Sequence, residues 1–179
     1  TRRGVIDVLQ AMQADIRLEN ERQAAGEPVA DIHIRGGGLQ ATDIGGDLVE
    51  LAIDECPALF IAAACAQGVS RVTGAGELRV KECDRLAVMA EGLHRLGVNC
   101  QETEDGIVIH GRPAGAAFTG GAIASHEDHR IAMAFAMAAL RADAPISIDD
   151  CDYVATSFPN FVALAEQAGL RIRVTEAEG

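Results

Sequence analysis

The segment Leu78–Leu86 carries the densest set of side chains that could do chemistry. It joins a predicted strand to a predicted helix, so Lys81 and Arg85 lie around the start of that helix. Backbone N–H groups at a helix N-terminus already favour anions, and two cations beside them would bind phosphate or carboxylate. Glu82, next to these cations, would stay ionised and could move protons. Lys81 is the only lysine in the chain, which favours a site over the alternative of a charged surface turn capped by Asp84.

A second polar cluster, Ser125–Arg130, precedes another predicted helix. Ser125 with Asp128 fits a capping box, so part of the cluster is expected to serve helix initiation alone. The two histidines could suggest a metal site, but a zincin requires HExxH and position 130 is Arg, so we expect no metal here. Arg130, in the first helical turn, is the better candidate for binding phosphate or carboxylate.

The segment Ile53–Pro57 also lies directly before an Ala-rich helix. In one interpretation Asp54 is an N-cap followed by an early proline. In the other, Asp54 is a general base or a hydroxyl ligand at the same edge as Lys81 and Arg130. Three helix starts would then converge on one anionic ligand.

Helices and strands alternate along the chain, which predicts an α/β fold. Apolar periodicity predicts these helices: Gly4–Ala14, Cys56–Gln67, Asp84–Leu96, Glu127–Leu140 and Pro159–Ala168. Clusters of β-branched residues between Gly and Asp turns predict these strands: Asp15–Leu18, Asp31–Arg35, Val69–Thr73, Val98–Glu102, Gly106–His110, Pro145–Ile148 and Leu170–Val174. Two long connections are expected, a charged turn over Glu19–Pro28 and a loop from Gly36 to about Glu50.

This order of elements repeats. Glu55–Ala58 aligns with Asp128–Ile131 at an offset of 73 positions, and Val80–Glu82 aligns with Ala155–Ser157 at an offset of 75. The chain therefore holds about two and a half copies of a unit of roughly 74 residues, longer than a usual solenoid repeat. The first copy lacks its amino-terminal part, so we expect a single domain over residues 1–179 that is a piece of a longer protein.

Composition restricts the classes of function. Of the 179 residues 49% are hydrophobic and only 3% aromatic, which predicts an Ala-rich aliphatic core. The net charge of −12 disfavours nucleic acid and anionic membranes as partners, because both attract basic proteins. No apolar run reaches the ~18 residues of a membrane span. Five cysteines without a CxxC pair predict reduced thiols in a cytoplasm.

Four ordered motifs resemble those of the 5-enolpyruvylshikimate-3-phosphate synthase family: Ile53–Pro57, Lys81–Leu86, Asp128–Met133 and Thr156–Pro159. The resemblance extends over essentially the whole chain. It implies an α/β (α+β) enolpyruvyl-transferase domain of repeated βαβαββ units around a pseudo-threefold axis, with the first unit truncated. It also implies that the chain is the carboxy-terminal half of a two-domain enzyme, whose amino-terminal domain would be its partner.

The family transfers the carboxyvinyl group of phosphoenolpyruvate to the 5-hydroxyl of shikimate 3-phosphate and releases phosphate, with no metal or other cofactor. By this resemblance, Asp54 would hold the 5-hydroxyl and act as the base. Lys81 would contact shikimate 3-phosphate near the reacting oxygens. Glu82 would exchange the proton at the methylene of phosphoenolpyruvate.

The same resemblance assigns phosphoenolpyruvate binding to Arg85 and Arg130, with His129 beside them. Two positions differ from variants of the motifs. Thr156 stands where some members carry Lys, so it enters the expected substrate-binding set by its position alone. Glu77 stands where some members carry Asn.

Two other functions stay open. UDP-N-acetylglucosamine enolpyruvyl transferase is the nearest enzyme alternative, but it lacks the pattern from Lys81 to Arg85. An isolated half of a two-domain enzyme could instead be a folded, non-catalytic domain for ligand binding or assembly, because the family's site lies between the two domains. We then expect this chain alone to be inactive, with weak anion binding at best.

Overall fold

The computed structural model describes residues 3–115 and 117–175. In these ranges the helices are α1 (Gly4–Ala11), α2 (Asp47–Leu51), α3 (Cys56–Ala64), α4 (Arg85–Arg95), α5 (His129–Ala138), α6 (Asp152–Ser157) and α7 (Phe161–Gln167). The strands are β1 (Asp15–Ala24), β2 (Glu27–Arg35), β3 (Asp43–Ile44), β4 (Val69–Val72), β5 (Cys100–Thr103), β6 (Gly106–His110), β7 (Gly121–Ala124) and β8 (Ile146–Asp149). The predicted mixture of helices and strands is confirmed.

The middle of the chain forms one complete βαβαββ unit, β3-α3-β4-α4-β5-β6. Its sheet has the order β3-β4-β6-β5, with β3 parallel to β4 and β6 antiparallel to both of its neighbours. The preceding α1-β1-β2 repeats the end of this unit, and the following β7-α5-β8 repeats its start, including the parallel pair. Helices α3 and α5 begin at Cys56 and His129, at the offset that the sequence predicted.

The core lies between these helices and the middle sheet. Helix α3 is buried on almost every side because it consists of alanine and large apolar residues, and it packs against α5. The predicted Ala-rich core is confirmed, but it also contains three fully buried aromatic rings, those of Phe60, Phe118 and Phe135. Burying each of these rings contributes on the order of 1.5–3 kcal/mol.

The predicted charged turn over Glu19–Pro28 is wrong. Strands β1 and β2 continue through it as an antiparallel hairpin with an irregularity between Glu19 and Arg22. Only Ala25 and Gly26 form the turn, with φ of 52° and 85°, which matches the twist of a two-residue hairpin loop. Charged residues cover the ribbon where the strand was expected to end, so the apolar alternation that reveals a strand is absent there.

Other differences occur where elements are short. Residues Leu170–Val174 form no strand in the described part of the chain, because no neighbouring strand pairs with them. Strand β7 and helix α6 escaped sequence reasoning, and the predicted loop from Gly36 to about Glu50 contains β3 and most of α2. A 3-10 turn over Gly76–Val80 precedes the connection to α4.

A substitution at Gly92 can test the packing of α4 on α5. A Cβ atom at Gly92 would lie 2.2 Å from Cζ of the buried Phe135 ring. Alanine is the better helix former by roughly 0.5–1 kcal/mol. The clash with Phe135 costs more than this gain, so the net effect of the substitution on stability is unfavourable. We expect Gly92→Ala to lower the free energy of unfolding by about 1–3 kcal/mol, measured by urea denaturation.

Two variants act as controls for this change. Gly37→Ala places a methyl group where no atom lies within 4 Å, so it should leave stability nearly unchanged. Phe135→Leu combined with Gly92→Ala should cost less than the sum of the two single changes. A stabilising Gly92→Ala would contradict this packing.

Candidate active site

Three helix starts meet at one side of the core. The 3-10 turn Ile53–Glu55 runs into α3, and Pro57 occupies the first turn of that helix, as the sequence predicted. Asp84 caps α4 by accepting a hydrogen bond of 3.0 Å from the N–H of Ala87. Asp128 caps α5 in the same way.

The carboxylate of Asp54 lies between three cations. Its Oδ1 atom is 3.6 Å from Nζ of Lys81 and 3.6 Å from Nη1 of Arg85. Its Oδ2 atom is 3.7 Å from Nη2 of Arg130. The convergence of three helix starts is therefore confirmed. The interpretation of Asp54 as the N-cap of α3 is wrong, because Glu55 occupies that position and Asp54 lies in the turn before it.

Arg85 is the most deeply buried of these cations, with 1% of its side chain exposed. Its Nε atom donates to Oδ2 of Asp128 at 2.7 Å, and its Nη2 atom donates to Oε2 of Glu82 at 2.6 Å. Its Nη1 atom is also buried, yet it makes no hydrogen bond within the described residues. A buried charged donor without an acceptor is costly, so this nitrogen is suited to an oxygen of a bound anion.

Asp128 connects the buried guanidinium to helix α5. Its Oδ1 atom accepts hydrogen bonds from the N–H groups of Arg130 at 2.9 Å and Ile131 at 3.3 Å. Burial disfavours the charged carboxylate, but the hydrogen bond and charge of Arg85, with these two N–H groups, outweigh burial and lower the pKa of Asp128. The side chain is fully buried, so one carboxylate serves as both helix cap and counter-ion.

The predicted capping box of Ser125 and Asp128 is wrong. The Ser125 hydroxyl points away from α5 and lies within hydrogen-bonding distance of the carbonyl oxygens of Asp149, at 2.8 Å, and Asp150, at 2.9 Å. Between Ser125 and Asp128, two residues adopt the left-handed conformation, with φ of 52° at His126 and 60° at Glu127. Such a turn is strained in residues other than glycine, and the buried residues at its two ends hold it in place.

The other two cations are held from the side by their own partners. Glu77 accepts a hydrogen bond from Nζ of Lys81 and raises the pKa of that amine. Nη1 of Arg130 donates to the backbone carbonyl of Asp54 at 2.9 Å and lies 3.5 Å from Oε1 of Glu55. These contacts orient both side chains towards the Asp54 carboxylate.

The remaining predicted site residues lie apart from this network. His129 is half-buried as the first residue of α5, and Thr156 is exposed on α6. In residues 3–115 and 117–175, neither makes a side-chain hydrogen bond or ion pair to the cluster.

Sequence reasoning missed Glu77 as the counter-ion of Lys81 and Asp128 as the counter-ion of Arg85, along with Glu55 beside Arg130. The spacing of four residues between Glu77 and Lys81 was the available signal for the first. No signal was available for the second, because the partners lie 43 positions apart.

Thiol and metal chemistry find no support in the described residues. Burial, with the charges of Glu55 and Asp54, raises the pKa of Cys56 to about 12. Burial and Asp128 likewise raise the pKa of Cys83 to about 12, so both thiols stay protonated and are poor nucleophiles. Across the described ranges, no group of three or more His, Cys, Asp or Glu side chains could hold a metal ion. None of the described helices combines the length and the apolar character that a membrane-spanning segment requires.

Comparison with known proteins identifies the family. The model of the EPSP synthase (3-phosphoshikimate 1-carboxyvinyltransferase) family matches residues 1–164. The chain belongs to this family. A 3-phosphoshikimate 1-carboxyvinyltransferase of Alkalilimnicola ehrlichii is 56% identical over 179 residues, which are 100% of this chain and 40% of the relative. That of Halorhodospira halophila is 55% identical over 174 residues, 97% of this chain and 38% of the relative.

Solved structures agree with this membership. An EPSP synthase from Acinetobacter baumannii superposes with a TM-score of 0.96 at 56% identity, over 98% of this chain and 40% of that one. The enolpyruvyl transferase NikO from Streptomyces tendae has a TM-score of 0.71 at 19% identity, over 99% of this chain and 37% of that one, and shares the fold. The chain thus spans about 40% of the length of the EPSP synthases it matches.

The ion pair of Arg85 and Asp128 predicts a pH-dependent stability. Asp128→Asn should lower the free energy of unfolding at pH 7 by roughly 3 kcal/mol, because the buried guanidinium loses its fully buried counter-charge at 2.7 Å. Since the folded pKa of Asp128 lies below the unfolded value of about 3.9, this contribution is complete above that pH. This contribution is lost as the pH falls through the folded pKa. The difference in free energy of unfolding between the unsubstituted chain and Asp128→Asn should therefore narrow only below about pH 4. Urea unfolding at a series of pH values measures both effects.

Asp84→Asn is the matched control, because it makes the same change at another helix cap whose side chain is 38% exposed. It should cost less than about 1 kcal/mol, since asparagine also caps helices and exposed ion pairs contribute little. Equal losses from the two substitutions would mean that burial of the Arg85–Asp128 pair adds nothing.

Proposed function

We propose that this chain is the carboxy-terminal domain of an enzyme that transfers the enolpyruvyl group of phosphoenolpyruvate to the 5-hydroxyl of shikimate 3-phosphate and releases phosphate. The observation that carries the proposal is the buried Nη1 atom of Arg85, which lacks a hydrogen bond and lies beside Asp54. Family membership and the length of the matched relatives support the same conclusion.

The arrangement of charge suits a doubly anionic substrate. Arg85 and Arg130 each direct one terminal guanidinium nitrogen at the Asp54 carboxylate from a different helix start. Two guanidinium groups held in this way can bind a carboxylate and a phosphate group at once, which is what phosphoenolpyruvate offers. Anchoring by Asp128 and by the backbone carbonyl of Asp54 fixes the two groups before substrate binds.

The proposed reaction proceeds by addition and elimination. Asp54 takes the proton of the 5-hydroxyl while the oxygen attacks C2 of phosphoenolpyruvate, and Glu82, in its protonated form, gives its proton to the methylene carbon, which becomes a methyl group. In the tetrahedral intermediate, the Glu82 carboxylate then takes a proton back from that methyl group. The double bond re-forms as the bond from C2 to the phosphate oxygen breaks, and the proton held by Asp54 passes to the departing phosphate. Glu82 is held at 2.6 Å from Arg85, so it lies beside the same bound anion.

Lys81 completes the proposed site. Its raised pKa keeps the amine protonated, so it acts as a cation for shikimate 3-phosphate near the reacting oxygens rather than as a base. His129 and Thr156 are proposed as outer contacts to substrate, reached from the start of α5 and the end of α6. We assign no metal and no other cofactor to the reaction.

The proposed partner is the amino-terminal domain of the same enzyme, which would supply the rest of the shikimate phosphate pocket. The 60% of the relatives that this chain does not match leaves room for such a domain. We place the protein in the cytoplasm, where its five free cysteines would stay reduced. A non-catalytic ligand-binding domain is the second candidate, because the cation cluster could bind an anion without any partner.

Phosphate release separates these two functions. We would assay shikimate 3-phosphate with phosphoenolpyruvate in three samples: the chain alone, the chain mixed with a separately made amino-terminal half, and a chimera. In the chimera, this chain replaces the matching 40% of the A. ehrlichii relative. We expect no release from the chain alone, release from the chimera and the mixture, and a loss of at least ~100-fold with Lys81→Ala.

Arg95→Ala is the control, since Arg95 is 57% exposed and, among the residues that the structure describes, its side chain pairs only with Glu91 on the outer face of α4. It should release phosphate at the rate of the unsubstituted chimera. Weak phosphoenolpyruvate binding by a chimera that folds but never releases phosphate would favour the non-catalytic domain. Turnover by the chain alone would refute the need for a second domain.

A further inference from the structure

All three nitrogens of the Arg79 guanidinium group donate hydrogen bonds within the unit that carries Lys81 and Glu82. Its Nε donates to the carbonyl of Glu104 at 2.8 Å, and its Nη2 donates to the carbonyl of Thr103 at 2.6 Å. Nη2 also lies 2.7 Å from Oε1 of Glu102. Arg79 therefore grips the turn between β5 and β6 by two backbone carbonyls and one carboxylate.

The third nitrogen of Arg79 reaches forward along the chain. Nη1 donates to Oδ2 of Asp84 at 2.8 Å, while Oδ1 of the same carboxylate caps α4. Both oxygens of Asp84 are thus used, and the carboxylate is fixed between the helix start and the guanidinium. The side chains of Arg79 and Asp84 close a small ring across residues 80–83.

The closed segment holds two residues of the proposed site. Lys81 extends from it to Asp54, and Glu82 extends from it to Arg85. Residues 81–84 belong to no helix or strand, so regular backbone hydrogen bonds do not fix them. Among the described residues, the bridge from Arg79 to Asp84 is the contact that ties the two ends of this segment together.

The turn that Arg79 grips is itself fixed to the same unit. Asp105 accepts hydrogen bonds from the N–H of Gly74, through its side chain at 2.8 Å, and from the N–H of Ala75, through its carbonyl at 2.7 Å. A Cβ atom at Gly106 would lie 1.8 Å from the carbonyl oxygen of Val72, so the turn lies directly against the chain at the end of β4. Arg79 is thus hydrogen-bonded to a turn that is itself held in place by the rest of the unit.

We propose that Arg79 is a positioning residue, which holds residues 80–83 so that Lys81 and Glu82 keep their places beside Asp54 and Arg85. This inference rests on the proposed function. The planar fork of arginine matters because a lysine ammonium has a single nitrogen and cannot reach two carbonyls and two carboxylates from one position. Arg79 is partly exposed, so its ion pairs add little to stability and its main effect is on geometry.

Backbone ¹⁵N relaxation of the 179-residue chain tests the positioning directly. In the unsubstituted chain, we expect order parameters near ~0.85 for the amides of residues 81–83, the value of rigid backbone. Arg79→Lys and Arg79→Met should lower them below ~0.6, while strands β4 and β6 keep their values. Arg95→Met is the matched control and should change nothing at residues 81–83. Unchanged order parameters in both Arg79 variants would overturn the proposal.

Steady-state kinetics of the chimera test the consequence for activity. Arg79→Lys should lower kcat at least ~10-fold and change KM for either substrate less than ~3-fold, because misplaced catalytic groups slow the reaction more than they weaken binding. The thermal midpoint, measured on the same samples, should stay close to that of the parent. If Arg79→Met does not fold, Glu102→Gln replaces it in the relaxation measurement, since this variant removes one partner of Arg79 and keeps the others.

The two measurements separate the inference from the function on which it rests. An unsubstituted chimera without turnover would refute the proposed function, and the order parameters would still decide whether Arg79 positions the segment. A large fall in thermal midpoint with kcat unchanged would mean that Arg79 serves stability alone. Flexible residues 81–83 with full activity would likewise overturn the positioning role.

Discussion

The site depends on one buried ion pair, between Arg85 and Asp128. A guanidinium with 1% exposure would be very costly without a counter-charge, and Asp128 supplies it at 2.7 Å from the start of another helix. The pair therefore fixes the distance between α4 and α5 at their amino-terminal ends. Two more carboxylates lie beside the same guanidinium: Glu82 is 2.6 Å from Nη2 and Asp54 is 3.6 Å from Nη1 of Arg85. Packing of the apolar core sets how α4 and α5 cross, and this ion pair sets the relative positions of their amino-terminal ends.

For the proposed function, a cluster of five acids and three bases must still admit an anion. Each cation has its own carboxylate: Glu77 for Lys81, Asp128 for Arg85 and Glu55 for Arg130. All three share Asp54 at 3.6–3.7 Å, which is longer than a hydrogen bond. The proposed substrate anion can therefore approach these nitrogens without breaking a short contact to Asp54, and the individual counter-ions hold the three cations in place.

Much of this arrangement was accessible from the sequence, since helix starts carry recognisable signals. Proline in the first turn, Asp before Arg85 and the 73-residue offset located the three starts that meet. The hairpin over β1 and β2 was missed because charged residues cover its exposed ribbon and leave no apolar alternation. Ser125 was assigned to the wrong partner because its acceptors, the carbonyls of Asp149 and Asp150, lie 24 and 25 positions away. Local pattern reveals where an element begins, whereas long-range hydrogen bonds of single side chains require the fold.

The repeat divides the site between two units. Asp54, Lys81 and Arg85 belong to the complete middle unit, whereas Asp128 and Arg130 belong to the next one. A single unit would hold Arg85 together with Glu82 and Asp54, but without the buried carboxylate of Asp128 and without helix α5. The site is therefore a property of the junction between two repeats, which no isolated copy of the unit contains. The position that is Glu55 in one copy and Asp128 in the other differs accordingly, since only the shorter acid caps its helix and pairs with the buried guanidinium.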